Sequence, residues 1–465
     1  MSVISTSSGR VRGEIVDGIH RFRSVPYAAA PEGALRFAKP QQSTWDGERD
    51  ATRRGPIAPQ TVRKLPGLDL GAILGGDSPQ GGDFLTVDVH SPDPSAGGLP
   101  VMVFIHGGAF VYGTGSAAVY DGMAFARRGV VLVTINYRLG IDGFLPLQGG
   151  DTNLGLRDQI AALHWVRDNA SAFGGDPDNV TVFGESAGGM SIACLLGSPL
   201  ARGLFRRAIV ESGHPDMVRA PENARLLVDK VAERLGVPAT AEAFRQLSTQ
   251  QLQEAQTAVT TPGQGPDLRD GDGFDPGYAF APFLPVLGDD VLPTNARENL
   301  NPDVDLITGY NAEEMRLYFA PSGLIDVITD QQALGILGAT RPDAAEILAR
   351  YGLGEKPTGE VFIAAMTDLV FADGARRLAE EHPGQAHRYR FDWRSPQFEG
   401  RLGACHGLEL PFVFDTLPSA EALVGTQPPP ELAKQMNAAW VRFAETGDPG
   451  WETGVVRSFG EISGS

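Results

Sequence analysis

Five short, nearly unbroken apolar runs constrain the fold of this chain more than any other feature. They are residues 101–105 (VMVFI), 130–135 (VVLVTI), 180–183 (VTVF), 208–210 (AIV) and 304–307 (VDLI). A strand with one face in water alternates polar and apolar side chains, so a continuous run predicts a strand covered on both faces. Covering elements are visible between the runs. Leu156, Ile160, Leu163 and Val166 recur at helical spacing while Arg157, Asp158, Arg167 and Asp168 face elsewhere, the pattern of an amphipathic helix lying on a sheet. A later helix carries Leu432, Met436, Trp440 and Phe443 and stops at Gly447. Strands alternating with helices predict an α/β fold built on a large, mostly parallel, doubly wound sheet with helices on both faces.

Residues 1–100 read differently, as short strand-like pieces between turns rich in Gly, Pro and Asp. That pattern predicts an antiparallel edge that begins with a hairpin. Residues 214–300 interrupt the strand–helix rhythm. A helix through Leu227, Val231 and Leu235 ends at Gly236, and residues 261–277 form an acidic, Gly- and Pro-rich loop expected at a rim. We therefore expect a single domain over residues 1–465 with an inserted, cap-like region at about 214–300.

Composition removes several functions. The 39 basic and 57 acidic side chains leave a net charge of −18, which disfavours nucleic acid and anionic membranes as partners. The longest apolar runs are far too short to span a bilayer, and the first residues lack the basic and apolar segments of a secretory signal. Two cysteines, Cys194 and Cys405, cannot build a disulfide framework and suit a reducing compartment. The expectation is a cytoplasmic protein, monomeric or a small homo-oligomer, with no metal and no cofactor.

Residues 184–188 (GESAG) close one apolar run and open a helix of small residues. A serine between glycines at a strand-to-helix hinge is lifted clear of the sheet on a tight turn, which makes Ser186 the expected nucleophile. The competing reading of the same five residues is a serine that only caps a helix. A nucleophile also needs a base, an acid that orients the base, and donors for the oxyanion.

His406, on a small-residue loop after the strand-like residues 388–393, is the expected base, whereas His382 and His387 flank a polar turn and read as solvated. Glu313 and Glu314 follow the run at 304–307, at the end of a strand where α/β sheets place their chemistry. One of the two can face His406 and the other should be at the surface. His106, Gly107, Gly108 and Ala109 follow the run at 101–105, where small residues let backbone N–H groups face an oxyanion together with the N–H of Ala187. Phe110, Phe283, Leu317 and Phe319 are candidates for an apolar substrate pocket.

Residues 173–189 (FGGDPDNVTVFGESAGG), 136–140 (NYRLG), 153–159 (NLGLRDQ), 26–28 (PYA), 35–37 (LRF) and 283–288 (FLPVLG) together resemble the type-B carboxylesterases over almost the whole length. That family includes bacterial para-nitrobenzyl esterases, animal carboxylesterases and cholinesterases. The resemblance implies an α/β-hydrolase fold, a triad of Ser186, Glu314 and His406, and an oxyanion hole from Gly108, Ala109 and Ala187. Extracellular relatives have a cysteine where this chain has Phe84, so their first disulfide loop is not expected here. Leu317 stands where cholinesterases have a gorge aromatic, and without an aromatic cage choline specificity is not expected.

The function so implied is a serine carboxylesterase that hydrolyses esters of small to medium apolar acids and alcohols through an acyl-enzyme. Two alternatives remain beside it. A catalytically inactive interaction protein on the same fold would ordinarily lack a triad member. A lipase would need an apolar lid, whereas residues 261–277 are polar and acidic. Carbamates and lactones suit the same chemistry.

Overall fold

The computed structural model describes residues 1–460 except 62–63, 77 and 262. Its strands are β1 (Ser2–Ser5), β2 (Arg10–Val16), β3 (Ile19–Pro26), β4 (Glu48–Asp50), β5 (Thr86–Ser91), β6 (Leu99–Ile105), β7 (Val131–Ile135), β8 (Gly175–Glu185), β9 (Arg207–Glu211), β10 (Asp305–Asn311), β11 (Ala386–Phe391) and β12 (Val456–Phe459). They form one twelve-stranded sheet in the order β1-β2-β3-β5-β7-β6-β8-β9-β10-β11-β12, with β4 paired to β2. Pairing is antiparallel from β1 to β7 along this order and parallel from β7 to β12. The five apolar runs became β6 to β10, and the first residues form the expected hairpin.

The period of two along each strand sorts these runs into two cores. Val101, Val103 and Ile105 of β6, with Val182 of β8, join Leu156, Leu163, Ile192 and Leu195 on one face. Met102, Phe104 and Phe183 point the other way and join Met436, Trp440, Phe443 and Phe414. Burying both faces of every central strand explains why polar residues are scarce in these runs.

The helix Leu154–Asn169 lies where its spacing placed it, but Arg157 and Asp158 do not face solvent. Asp158 accepts both Nε and Nη2 of Arg138 at 2.8 and 2.6 Å, and neither side chain is measurably accessible. Arg157 donates to Thr152 O and pairs with Asp289 and Asp290, tying this helix to the end of the insertion. Spacing alone cannot distinguish a solvated charge from one with a distant partner. Within 214–300 the helices are Pro221–Leu235, Ala241–Arg245 and Thr249–Thr260, followed by irregular chain up to residue 295. Residues 261–277, of which 262 lies outside the described residues, form turns.

Parallel strands put their C-terminal ends along one edge. There, Glu185 of β8 is in register with Glu211 of β9, Gly309 of β10 with the same Glu211, and Asn311 with Phe391 of β11. Ser186, Glu314 and His406 all follow strands that end on this edge.

Candidate active site

Ser186 links β8 to the helix Ala187–Gly197 with φ 56° and ψ −124°, a backbone state that costs a non-glycine residue about 1–3 kcal/mol. The surroundings hold it there. Its N–H donates to Glu211 O at 2.9 Å, and its carbonyl accepts Met190 N at 2.7 Å. Glycine is required beside it because a Cβ on Gly188 would lie 1.9 Å from Ile105 O, so any side chain would push the helix away from β6. The serine that sequence placed on a hinge is therefore held by packing on both sides.

His406 stands 2.8 Å from Ser186 Oγ through Nε2 and 2.7 Å from Glu314 Oε2 through Nδ1. Backbone bonds fix the two loops to each other: His406 N donates to Glu314 O at 3.1 Å, and Glu313 N donates to Ala404 O at 2.9 Å. Glu314 is fully buried, and its second oxygen accepts Ser212 Oγ at 2.6 Å and Asn311 N at 2.8 Å. Glu313 turns away from the imidazole. It accepts Arg316 Nε at 2.6 Å and Ala404 N at 3.0 Å and pairs with Arg394, so it is half-buried in ion pairs rather than solvated.

The loop after β6 is similarly constrained. Gly108, Ala109 and Phe110 all have positive φ (112°, 51° and 62°), and a Cβ on Gly108 would lie 2.0 Å from Tyr112 O. Tyr137 Oη donates to His106 O at 2.8 Å with the two rings stacked, and Gly140 N donates to Phe110 O at 2.7 Å. Burial lowers His106 to about 4, so it stays neutral and structural. Among the described residues, the N–H groups of Gly108, Ala109 and Ala187 have no hydrogen-bond acceptor. Gly107 also has to be small, since a Cβ there would sit 2.7 Å from Glu185 Oε2 and 3.1 Å from Ser186 Cβ.

Residues 1–457 match the model of the carboxylesterase family. The chain belongs to that family. This esterase is 38% identical to the para-nitrobenzyl esterase of Bacillus subtilis (strain 168) over 473 residues, covering 97% of this chain and 91% of that one. It is 35% identical to the phenmedipham hydrolase of Pseudarthrobacter oxydans over 469 residues, covering 96% and 90%. A solved PNB esterase structure superposes with a TM-score of 0.81 at 35% identity, covering 97% of this chain and 92% of that one. The protein is a carboxylic ester hydrolase of α/β-hydrolase fold.

Several groups around the esterase site were not foreseen from sequence. Glu185 Oε1 lies 3.1 Å from His406 Nε2, without hydrogen-bond alignment. Burial, then the charges of Glu314 and Glu211, pushes the Glu185 carboxyl well up. Burial likewise pushes Glu211 up to about 8 against the opposing Trp440 hydrogen bond. Glu409, bonded to Asn311, is raised by burial and by Glu185, Glu314 and Glu211 in turn. Four carboxyls thus share one dry region, and like charges that close favour the protonated form of the less solvated members. Only Glu185, beside the nucleophile in the motif, carried any sequence signal for this.

Aromatic rings were only partly anticipated. Tyr318 and Phe371 approach the His406 ring at 5.9 and 4.6 Å between centroids. Phe319 and Leu317, named as pocket candidates, are buried nearby, Phe319 edge-on to Phe362 at 5.3 Å. Phe110 and Phe283 have no accessible surface, so neither presents a face to a bound ester in this conformation. The positive φ at Phe110 directs its ring onto Phe144 at 4.8 Å. His382 and His387 are buried, not solvated; His382 Nε2 bonds Val304 O at 2.7 Å, and burial lowers both. No helix among the described residues is long and apolar enough to cross a membrane, and no cluster of three His, Cys, Asp or Glu there could hold a metal.

Proposed function

We propose that Ser186, His406 and Glu314 act as the catalytic triad of this esterase, with Gly108, Ala109 and Ala187 as its oxyanion hole. The observation that carries the reading is the unbroken hydrogen-bonded line from Ser186 Oγ through both His406 nitrogens to the buried Glu314. Glu314 holds the imidazole proton on Nδ1 and leaves Nε2 free to accept the Ser186 proton. The alkoxide attacks the ester carbonyl, and the three unbonded N–H groups receive the charge that develops on its oxygen. His406 then protonates the departing alcohol, and water activated by the same imidazole releases the acid from Ser186. Ala187 is well suited to its part because it opens a helix, where N–H groups have no partner within the helix.

The substrate class in this proposal is carboxylic esters of small to medium apolar acids and alcohols. Tyr318, together with the half-exposed Phe280 whose ring lies 6.0 Å from it, supports an apolar approach to His406. Residues 1–465 would act as one catalytic unit, with 214–300 as an insertion over it. Two buried free cysteines support a cytoplasmic location. The test is hydrolysis of para-nitrophenyl acetate by wild type and Ser186→Ala, together with the crystal structure of a phosphonate adduct. Turnover should vanish in the variant and phosphorus should be found on Ser186 Oγ; equal rates for the two proteins would sink the reading.

A further inference from the structure

The loop after β6, which carries the Gly108 and Ala109 N–H groups, is closed on itself. A Cβ on Gly113 would sit 2.5 Å from Gly107 O and 2.6 Å from His106 Nδ1, while Tyr112 O lies against Gly108. The end of the loop therefore packs on its beginning, and a shift at Gly113 is passed to the peptides that bear the two N–H groups. Gly113 belongs to no strand or helix. Its own peptide groups are held by a side chain.

That side chain is Gln60, 53 residues earlier, in the segment between β4 and β5, and only 3% exposed. Gln60 Oε1 accepts Gly113 N at 2.7 Å, and Gln60 Nε2 donates to Gly113 O at 2.9 Å and to Ala58 O at 3.0 Å. One amide thus grips both the N–H and the C=O of a single residue, as a neighbouring strand would. The orientation of the amide is settled by its partners, since two carbonyls face the NH₂ and an N–H faces the oxygen. Gln60 is itself held from outside: its N–H donates to Gln80 Oε1 at 2.9 Å, and Gln80 Nε2 donates to Gln60 O at 3.0 Å. Buried and committed to backbone, Gln60 is not offered to a bound ester.

We propose that Gln60 is a positioning residue for the oxyanion hole. By gripping Gly113 it fixes the loop so that the Gly108 and Ala109 N–H groups stay aimed at the oxygen on which charge develops. Gln60 touches neither the ester nor the reacting atoms in this role. The role rests on Gly108 and Ala109 serving as oxyanion donors.

The test compares Gln60→Met, Gln60→Glu and Gly108→Ala with wild type by steady-state turnover of para-nitrophenyl acetate and by the Ki of a trifluoromethyl ketone. Such a ketone accepts Ser186 Oγ at its carbonyl carbon and leaves an oxyanion where the tetrahedral intermediate has its own. Gln60→Met keeps the volume and loses the three bonds. It should lower kcat by about 10–10², the scale of a displacement of about 1 Å, with KM little changed. The ketone Ki should rise by the same factor, because both report binding of the oxyanion. A Gln60→Met enzyme with wild-type kcat and Ki overturns the proposal whatever its Tm, and a rise in KM alone also overturns it. Gln60→Glu decides the matter if Gln60→Met does not fold. Burial favours its protonated carboxyl, which can accept Gly113 N and donate to Gly113 O, and the donation ends as the carboxyl ionises. Its kcat relative to wild type should therefore fall from about pH 6 to 9, and a constant ratio overturns the proposal. Gly108→Ala separates the two readings: if it keeps kcat and Ki the oxyanion assignment fails, and if it loses both while Gln60→Met is normal only the role of Gln60 fails.

Discussion

Ser212 donates its hydroxyl to Glu314 Oε1 at 2.6 Å, leaving Oε2 to meet His406 Nδ1 at 2.7 Å. The carboxylate is thereby locked in one orientation, and the adjacent Glu313 is committed to Arg316 and Arg394. Glu314→Gln should lower kcat by about 10³–10⁴, because an amide can present its NH₂ to the imidazole and favour the wrong tautomer. Glu313→Gln should leave kcat unchanged and lower the Tm. Steady-state kinetics and thermal melts of the two variants check this; the reverse pattern would assign the acid to Glu313.

Glu211 predicts how stability responds to pH. Its carboxyl is pushed up to about 8 in the fold by burial and titrates in the ordinary carboxylate range when unfolded. Between about pH 4.5 and 8 the folded protein therefore holds a proton that the unfolded chain has lost. The stabilisation is complete below that window and is lost as pH rises through it, with a slope approaching ~1.4 kcal/mol per pH unit. Glu211→Gln imitates the protonated acid and can still accept from Trp440. Urea unfolding from pH 5 to 8 should show the variant gaining on wild type as pH rises. A difference that is constant with pH would mean that Glu211 is ionised in the fold.

Asp158 and Arg138 are both inaccessible and bonded at 2.8 and 2.6 Å, so neither charge has water to fall back on. Asp158→Ala leaves Arg138 buried with the Ala38 carbonyl as its remaining side-chain partner. The expected loss of stability is about 3–5 kcal/mol, the cost of breaking a buried pair on one side. Urea unfolding measures it, and a variant as stable as wild type would mean that the pair contributes nothing to the fold.

The strands were legible because parallel strands buried on both faces leave an unbroken apolar record, as residues 101–105 do in β6. The hinge at Ser186 and the loop at Gly107 and Gly108 were legible because close backbone approach demands small residues locally. What escaped depends on partners far along the chain. Asp158 looks solvated until Arg138 arrives, 20 residues away, and His382 until it meets Val304 O, 78 residues away. Phe371 looks like one more core residue of a helix, and only the fold brings its ring to 4.6 Å from the His406 ring. Phe110 looked like a pocket residue because its left-handed backbone, which aims the ring into the core, leaves no sequence trace.

Gly108 couples backbone geometry to rate most directly. Its φ of 112° lies in a region that side chains rarely adopt, and an added Cβ would sit 2.0 Å from the Tyr112 carbonyl oxygen. Backbone cannot yield as a flexible side chain would, so Gly108→Ala must rotate the two peptides that carry the Gly108 and Ala109 N–H groups. These donors serve only the charge that develops on the carbonyl oxygen, so their displacement should appear in kcat more than in KM. A loss of about 10²–10³ in kcat is expected, the scale of removing one oxyanion donor. The hydrogen bond between His406 and Ser186 should survive, since the three atoms nearest the added methyl group all belong to Tyr112. Para-nitrophenyl acetate kinetics give the loss, and the crystal structure of the variant shows whether the loop alone has moved. A kcat within tenfold of wild type would mean that these two N–H groups do not hold the oxyanion.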